Sequence, residues 1–240
     1  MKEPSNDSAP VVLIVGATGG IGERVTRNCV ERGFKVIAVT SKESGVEELG
    51  RRYPGSEIWA LALDLMDAGT IDEFAREIES RQLPIDWIVV CSGFISTDDD
   101  SMEKIQKTIG VNLIGPILLS HCLKHGLTGK GGVIAISSTA SLKGNPRFPY
   151  YSAAKAGLNI FMEALSKSWG EAEKRAITII PGGTNTAMRE YVAGDAGSQQ
   201  SPQIVADVVD EVISDRERYP NGSRVIVVNG KVDIERLDQF

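Results

Sequence analysis

Tyr151 and Lys155 are the residues whose types and spacing could do chemistry. They belong to Tyr151-Ser152-Ala153-Ala154-Lys155, at the head of an apolar-patterned run, 153–169, that reads as a buried helix. Residues four apart share a helix face, so a phenol and an ammonium are set side by side. A cation near a Tyr hydroxyl favours the phenolate. A unit charge about 4 Å away, at an effective dielectric near 20, is worth roughly 4 kcal/mol. That is enough to lower an ordinary phenol pKa of about 10 by up to about 3 units, before any cost of burial. The spacing therefore predicts a Tyr that exchanges protons near neutral pH. Tyr-x-x-x-Lys also occurs on ordinary helices, so the rest of the chain has to supply a reason for it.

One reason lies near the N-terminus. Gly16-Ala17-Thr18-Gly19-Gly20-Ile21-Gly22 follows an apolar β-branched run, 11–15, and precedes a helical stretch that reaches about Glu31. Glycines there let the backbone approach a diphosphate, and a helix N-terminus offers free N–H groups and positive dipole charge. The spacing reads both as Gly-x-x-x-Gly-x-Gly and as Gly-x-x-Gly-x-x-Gly. It is not the common Gly-x-Gly-x-x-Gly fingerprint.

The elements that must position these residues alternate along the chain. Strands are expected at 11–15, 35–40, 57–63, 85–90, 133–136, 176–181 and 224–228, the last being the final strand. Helices are expected at 43–52, 70–81, 102–124, 153–169 and 204–214, besides the first. Most strands are continuous apolar runs. That predicts an α/β fold of Rossmann-like, doubly wound type, with a parallel sheet covered by helices on both faces.

The 240 residues are 42% hydrophobic and 24% charged, which suits one domain, 11–240, behind a loose polar leader, 1–10. The net charge of -6 argues against a nucleic-acid or anionic-membrane partner. No apolar run approaches the roughly 20 residues that span a bilayer, and the leader lacks the apolar middle of a secretory signal. Cys29, Cys91 and Cys122 lie far apart, so a reducing, cytoplasmic setting is expected, with no disulfide framework.

Read in order, the motifs resemble those of the short-chain dehydrogenase/reductase family, in its compact single-domain branch, over nearly the whole chain. The family's nucleotide loop is similar to Gly16–Gly22. Its Asn-Asn-Ala-Gly motif corresponds to Val90-Cys91-Ser92-Gly93, and its Val-Asn element to Val111-Asn112. Its Ile-Ser-Ser element corresponds to Ile136-Ser137-Ser138, and its Pro-Gly segment to Pro181-Gly182-Gly183-Thr184-Asn185-Thr186. The chain departs from the pattern at Val15, where the family usually has Thr, and at Cys91-Ser92. The segments 93–112 and beyond Thr186 are short, the second implying a small lid.

The resemblance implies an NAD(P)-dependent oxidoreductase that interconverts a small-molecule carbonyl and an alcohol. Tyr151 would give or take the proton. Lys155 would lower its pKa and hold the nicotinamide ribose. Ser138 would bind the substrate oxygen. Asn112 would bend its helix and hold a water. The cofactor would rest on Gly16, Thr18, Gly19, Gly20, Ile21 and Gly22, on Cys91, Ser92 and Gly93, and on Pro181, Gly182, Thr184 and Thr186. Asp64 and Leu65 resemble the pair that contacts adenine, although Asp64 also reads as a helix cap. The end of the second strand holds Thr40-Ser41-Lys42 and no carboxylate to repel a 2′-phosphate. Ser41 and Lys42 thus favour NADP over NAD. Against that, Gly19 stands where phosphate-selecting members often have Arg or Lys. The helices carrying Asn112 and Tyr151 resemble those that pair subunits, which implies a homodimer or homotetramer.

Other features carry weaker chemistry. His121, Cys122 and His125 lack a completing ligand, so no metal is expected. Asp98-Asp99-Asp100 lacks the spacing of a calcium loop. Asn145, Phe148 and Tyr150 either line a substrate pocket or pack the loop. Two further readings stand beside the oxidoreductase. One is a cofactor-binding regulator, suggested by Cys91-Ser92. The other is a sugar-nucleotide epimerase, whose glycine loop also fits but whose added domain this chain is too short to hold.

Overall fold

Apolar runs with few polar breaks can only be satisfied between two layers of helices, and the computed structural model has that arrangement. It describes residues 9–96, 101–169, 173–193 and 199–236. The acidic run at Asp98–Asp100 and most of the leader lie outside them. In chain order the elements are β1 (Val11–Val15), α1 (Gly20–Glu31), β2 (Lys35–Thr40), α2 (Glu43–Arg52), β3 (Ile58–Ala62) and α3 (Ala68–Ser80). Next come β4 (Ile85–Val90), α4 (Met102–Ile109), α5 (Gly115–Leu123), β5 (Leu127–Ile136) and α6 (Pro149–Trp169). The chain continues through β6 (Arg175–Pro181), α7 (Ala187–Ala193), α8 (Pro202–Ser214), β7 (Arg224–Val228) and β8 (Lys231–Glu235).

The strands form one sheet in the order β3-β2-β1-β4-β5-β6-β7-β8, parallel throughout except for β7 with β8. Successive strand residues face opposite sides. Leu13 and Val15 of β1 therefore join one core with Ile71, Phe74, Leu119 and Met162, from α3, α5 and α6. Val12 and Ile14 join another with Val25, Leu49 and Val209, from α1, α2 and α8. Because β1 pairs with both β2 and β4, the connections diverge there and leave a crevice at the C-terminal strand ends. No helix among the described residues is long and apolar enough to cross a membrane.

The structure corrects three sequence-based expectations and adds detail to a fourth. The helix expected over 102–124 is two helices joined by a π-helical turn, Gly110–Ile114, with Asn112 at its centre. The strand expected at 133–136 begins at Leu127, and its register against β4 shifts between Ile85 and Trp87, where Gly131 meets the backbone of Asp86. The glycine pair at 131–132 thus marks a bulge inside the strand rather than its start. The segment after Thr186 contains α7. Finally, 224–228 is not the last strand. Asn229 and Gly230, at φ 52 and 76, form a two-residue hairpin that turns the chain into antiparallel β8. Lys231, Asp233 and Glu235 of β8 are exposed, while Val232 and Ile234 pack on the α8-side core.

Gly230 isolates the cost of that turn. A methyl group there would meet only Ile204 Cδ1, at 3.8 Å, so Gly230→Ala changes backbone strain and little else. The left-handed conformation costs a non-glycine residue about 1–2 kcal/mol. Urea denaturation of Gly230→Ala is expected to show a loss of that order, and an unchanged midpoint would mean that the hairpin adds nothing to global stability.

Candidate active site

The crevice opens into a cleft of about 1470 Å³ at the C-terminal strand ends. The glycine loop forms its floor. Val15 of β1 lies in register with Val39 and Val90, so Gly16 and Cys91 leave the sheet side by side. Gly16 has φ 82, and a Cβ there would fall 2.9 Å from Ser92 Cα and N. Only glycine fits this approach. The N–H groups of Gly16 and Ala17 both donate to the Val39 carbonyl, at 2.8 and 3.0 Å, which fixes the loop's path. The first N–H groups of α1 have no acceptor within the helix, and the N-cap Gly19 offers none from a side chain. Ser92 Oγ is buried in the cleft floor without a hydrogen-bond partner. An open helix N-terminus, an unpaired hydroxyl and a glycine-rich loop fit a dinucleotide's diphosphate and sugars.

At the end of β2, Thr40 is buried and its Oγ1 lies 3.2 Å from Thr18 Oγ1, and both residues line the cleft. Ser41 and Lys42 are exposed and line the cleft. Asp64 lines it too, but its Oδ1 accepts the Met66 N–H at 2.8 Å and closes the turn towards α3. The cap of α3 is Asp67, not Asp64.

At the other end, Ser138, Tyr151 and Lys155 come together. Ser138 ends the run after β5, and its Oγ accepts the Ala140 N–H at 3.1 Å, which starts a short 3₁₀ turn. Tyr151 is in the first turn of α6, one turn before Lys155. The Lys155 side chain is 3% exposed, and its Nζ donates to the Ile136 carbonyl at 2.9 Å. Among the described residues no carboxylate forms an ion pair with it. Burial lowers its pKa to about 8, with Cys91 pulling weakly the other way. The Cys91 thiol is itself pushed up to about 12, chiefly by burial, and stays protonated.

The acidified phenol expected from the Tyr-Lys spacing is not present. Burial raises the Tyr151 pKa above its usual value, and a hydrogen bond with Ser138 opposes this only in part. The reason is direction. Lys155 Nζ turns to Ile136 and stands 5.9 Å from the centre of the Tyr151 ring. Sharing a helix face fixes where two side chains start, not where a long one ends.

Asn112 is fully buried. Its Nδ2 donates to the carbonyls of Phe94, at 2.5 Å, and Thr108, at 2.8 Å, and its Oδ1 accepts the Phe94 N–H at 3.3 Å. The expected bend is there, and the Asn112 side chain braces the segment after β4. Across the cleft, Gly182 N–H donates to Val227 O at 2.8 Å, and Thr184 Oγ1 donates to Gly182 O at 3.0 Å. The Thr186 side chain packs against Gly20. Asn145 and Phe148 line the cleft, whereas Tyr150 does not and is 37% exposed.

Sequence reasoning missed several contributors. Gln200 is buried and clips the Pro181–Thr186 segment to the β7–β8 hairpin, donating from Nε2 to Val227 O at 2.9 Å and from N to Gly183 O at 3.0 Å. Met188 and Val192 of α7 pack with Ile95, Phe148 and Tyr151 over the reacting end. Arg147 fastens that helix by donating to the Val192 carbonyl at 3.0 Å. Only the i, i+4 pair Met188 and Val192 signals this, in a helix too short to show a period. Among the described residues, His121, Cys122 and His125 join no cluster of metal-ligating side chains.

A sequence profile described as "short chain dehydrogenase" matches residues 10–196. The 3-oxoacyl-[acyl-carrier-protein] reductase FabG of Escherichia coli (strain K12) is 28% identical over 244 residues, 94% of this chain and 98% of the relative. An uncharacterized short-chain type dehydrogenase/reductase, y4vI, of Sinorhizobium fredii is also 28% identical, and this chain spans 44% of its length. A solved structure, a 4-hydroxyisoleucine dehydrogenase mutant complexed with NADH and succinate, superposes with a TM-score of 0.83 at 22% identity, covering 92% of this chain and 97% of that one.

The buried lysine gives a stability prediction. In the unfolded chain Lys155 titrates at its ordinary value, near 10.5, and in the folded one at about 8. Between those values the unfolded state holds more protons, so stability rises with pH. Relative to Lys155→Met, the wild type is expected to gain up to about 3 kcal/mol between pH 8 and 10.5. Denaturant titrations of both proteins across that range check it, and a constant difference would refute the depressed pKa.

Proposed function

Because the chain belongs to the short-chain dehydrogenase/reductase family, we propose that it is an NAD(P)-dependent oxidoreductase that interconverts a carbonyl and an alcohol. The observation that carries this is the convergence of Ser138, Tyr151 and Lys155 at one end of a cleft whose floor is the Gly16–Gly22 loop. A nicotinamide held in the cleft would supply or remove hydride at the substrate carbon. The chain's own residues handle the oxygen. Ser138 Oγ holds it by a hydrogen bond and stabilises its developing charge. The Tyr151 hydroxyl, kept protonated by burial, gives its proton to that oxygen in reduction and takes it back in oxidation. Lys155, with a pKa of about 8, holds a proton one helical turn from the phenol and would offer its ammonium to the cofactor's ribose hydroxyls. Asn112 keeps Phe94 in place, and α7 covers the reacting atoms and excludes water.

Gly16, Thr18, Gly19, Gly20, Ile21 and Gly22 seat the cofactor from below. Cys91, Ser92 and Gly93 meet its sugars, and Pro181, Gly182, Thr184 and Thr186 border the nicotinamide. Asp64 and Leu65 border the adenine. NADP is the preferred cofactor, because Ser41 and Lys42 line the cleft at the end of β2 and no carboxylate stands there to repel a 2′-phosphate. The helices bearing Asn112 and Tyr151 also expose Ile114 and Ile160, 45% and 62% accessible, which supports pairing with a second copy of this chain.

Two variants test the reading. Tyr151→Phe removes the transferable proton and leaves the fold and cofactor seat alone. Turnover followed at 340 nm, over a panel of carbonyl substrates, is expected to fall at least a thousandfold, while NADPH affinity stays within about twofold. Retained turnover would end the mechanism. Lys42→Glu places a carboxylate beside the 2′-phosphate and is expected to shift the NADPH-to-NADH affinity ratio towards NADH by about tenfold. Fluorescence titration of both cofactors measures it, and an unmoved ratio would remove Lys42 from cofactor choice.

A further inference from the structure

We infer that Arg189, on the helix that covers the cleft, binds an oxyanion of the dinucleotide's diphosphate and so ties closure of that helix to a loaded cofactor site. This rests on reading the cleft as a dinucleotide site.

The helix α7 presents two kinds of surface. Met188 and Val192 share one face and pack on Ile95, Phe148 and Tyr151, the apolar surroundings of the reacting end. Arg189 stands about 100° further round the helix and serves a different region. Its guanidinium lies against the backbone of Gly183, where an added Cβ would fall 3.7 Å from Nε and 3.8 Å from Cζ. It lines the cleft, and its Nε is buried without a hydrogen-bond partner. No Asp or Glu forms an ion pair with it among the described residues, whereas Arg27, Arg32, Arg52, Arg218 and Arg224 all have one. A buried guanidinium donor left unpaired is costly, and a cleft that holds one is built to receive an acceptor.

The position says which acceptor. The Arg189 N–H donates to Thr186 O at 2.8 Å, and the Thr186 side chain rests on Gly20, the first residue of α1. Arg189 is therefore one helical turn from the place where the covering segment touches the nucleotide loop. The α1 N–H groups lack acceptors there, and Ser92 Oγ lacks a partner in the same cleft. A diphosphate at the start of α1 meets the amide groups from below and the guanidinium from α7, and Arg presents the planar fork that such oxygens take. A substrate carboxylate offers related chemistry, but the face of α7 turned to the reacting end is apolar. Once the diphosphate is held from both sides, α7 is held down, and the pocket closes over a loaded cofactor in preference to an empty one.

The test measures binding rather than turnover. In the full chain, Arg189→Gln is titrated with NADPH, NADH and ADP-ribose, which keeps the diphosphate and lacks nicotinamide. Affinity for all three is expected to fall about tenfold or more. The dependence of affinity on salt is expected to weaken as well, with the melting temperature unchanged. Wild-type affinity for all three in a folded variant overturns the inference. So does unchanged dinucleotide binding with a raised KM for carboxylate-bearing substrates alone, which would assign Arg189 to the substrate. If Arg189→Gln does not fold, Arg189→Lys is read in its place. It keeps the charge and loses the fork, so a loss of about threefold or more supports the inference and wild-type affinity overturns it. A wild type that binds none of the three probes removes the dinucleotide reading itself, a failure distinct from one confined to Arg189.

Discussion

The hydrogen bond from Lys155 to the Ile136 carbonyl is the constraint on which the site depends. It carries an ammonium into the interior with no carboxylate paired to it among the described residues. Such a group is tolerated only where the surroundings fix it. Here the fixing group is the last carbonyl of β5, so α6 is tied to the sheet at the point where Ser138 leaves it. Ser137 strengthens the tie by donating from Oγ to the Lys155 carbonyl at 3.4 Å. Ser138 and Tyr151, far apart in the chain, are brought to one place by that junction. The same burial that depresses the lysine raises the phenol, so the resting site stores protons on both groups near neutral pH.

The fold was legible because its signals are local. Continuous apolar runs placed the strands at Val11–Val15, Lys35–Thr40 and Ile85–Val90 with the bounds the structure has. Tyr151 and Lys155 were legible as a pair from their spacing of four, and Ser138 joined them through the resemblance to the family's motifs. What stayed hidden depends on contacts between distant segments. The bend at Asn112 was expected, but the contact with Phe94, eighteen residues back, that holds the π turn is one that helix propensity does not register. Gln200 acts through Val227 and Gly183. The phenol's pKa depends on where a flexible amine points, and spacing does not set that. The β7–β8 hairpin is different in kind. Its Asn229-Gly230 signal was plain between alternating apolar residues, and the sequence reading stopped one strand too early.

Two segments that are remote in sequence therefore close one cleft. The glycine loop and the turn after β4 are pressed together at Gly16 and Ser92, which sets the floor at backbone precision. The covering side is held by side chains instead: Gln200 at its base, Arg147 at the far end of α7, and an apolar cluster between. A floor made of backbone contacts cannot yield without unfolding. A cover held by a few side-chain contacts can open and reclose, as passage of a substrate requires.

The charged outer face of β8 has a consequence for the molecule in company. A sheet's last strand carries unpaired main-chain groups, an invitation to cross-molecular ladder growth. Here that rim bears Lys231, Asp233 and Glu235, all open to water, so a neighbouring strand would have to strip hydration from three ionised groups. Crowded solutions of the protein are thereby steered away from fibrillar stacking along this border.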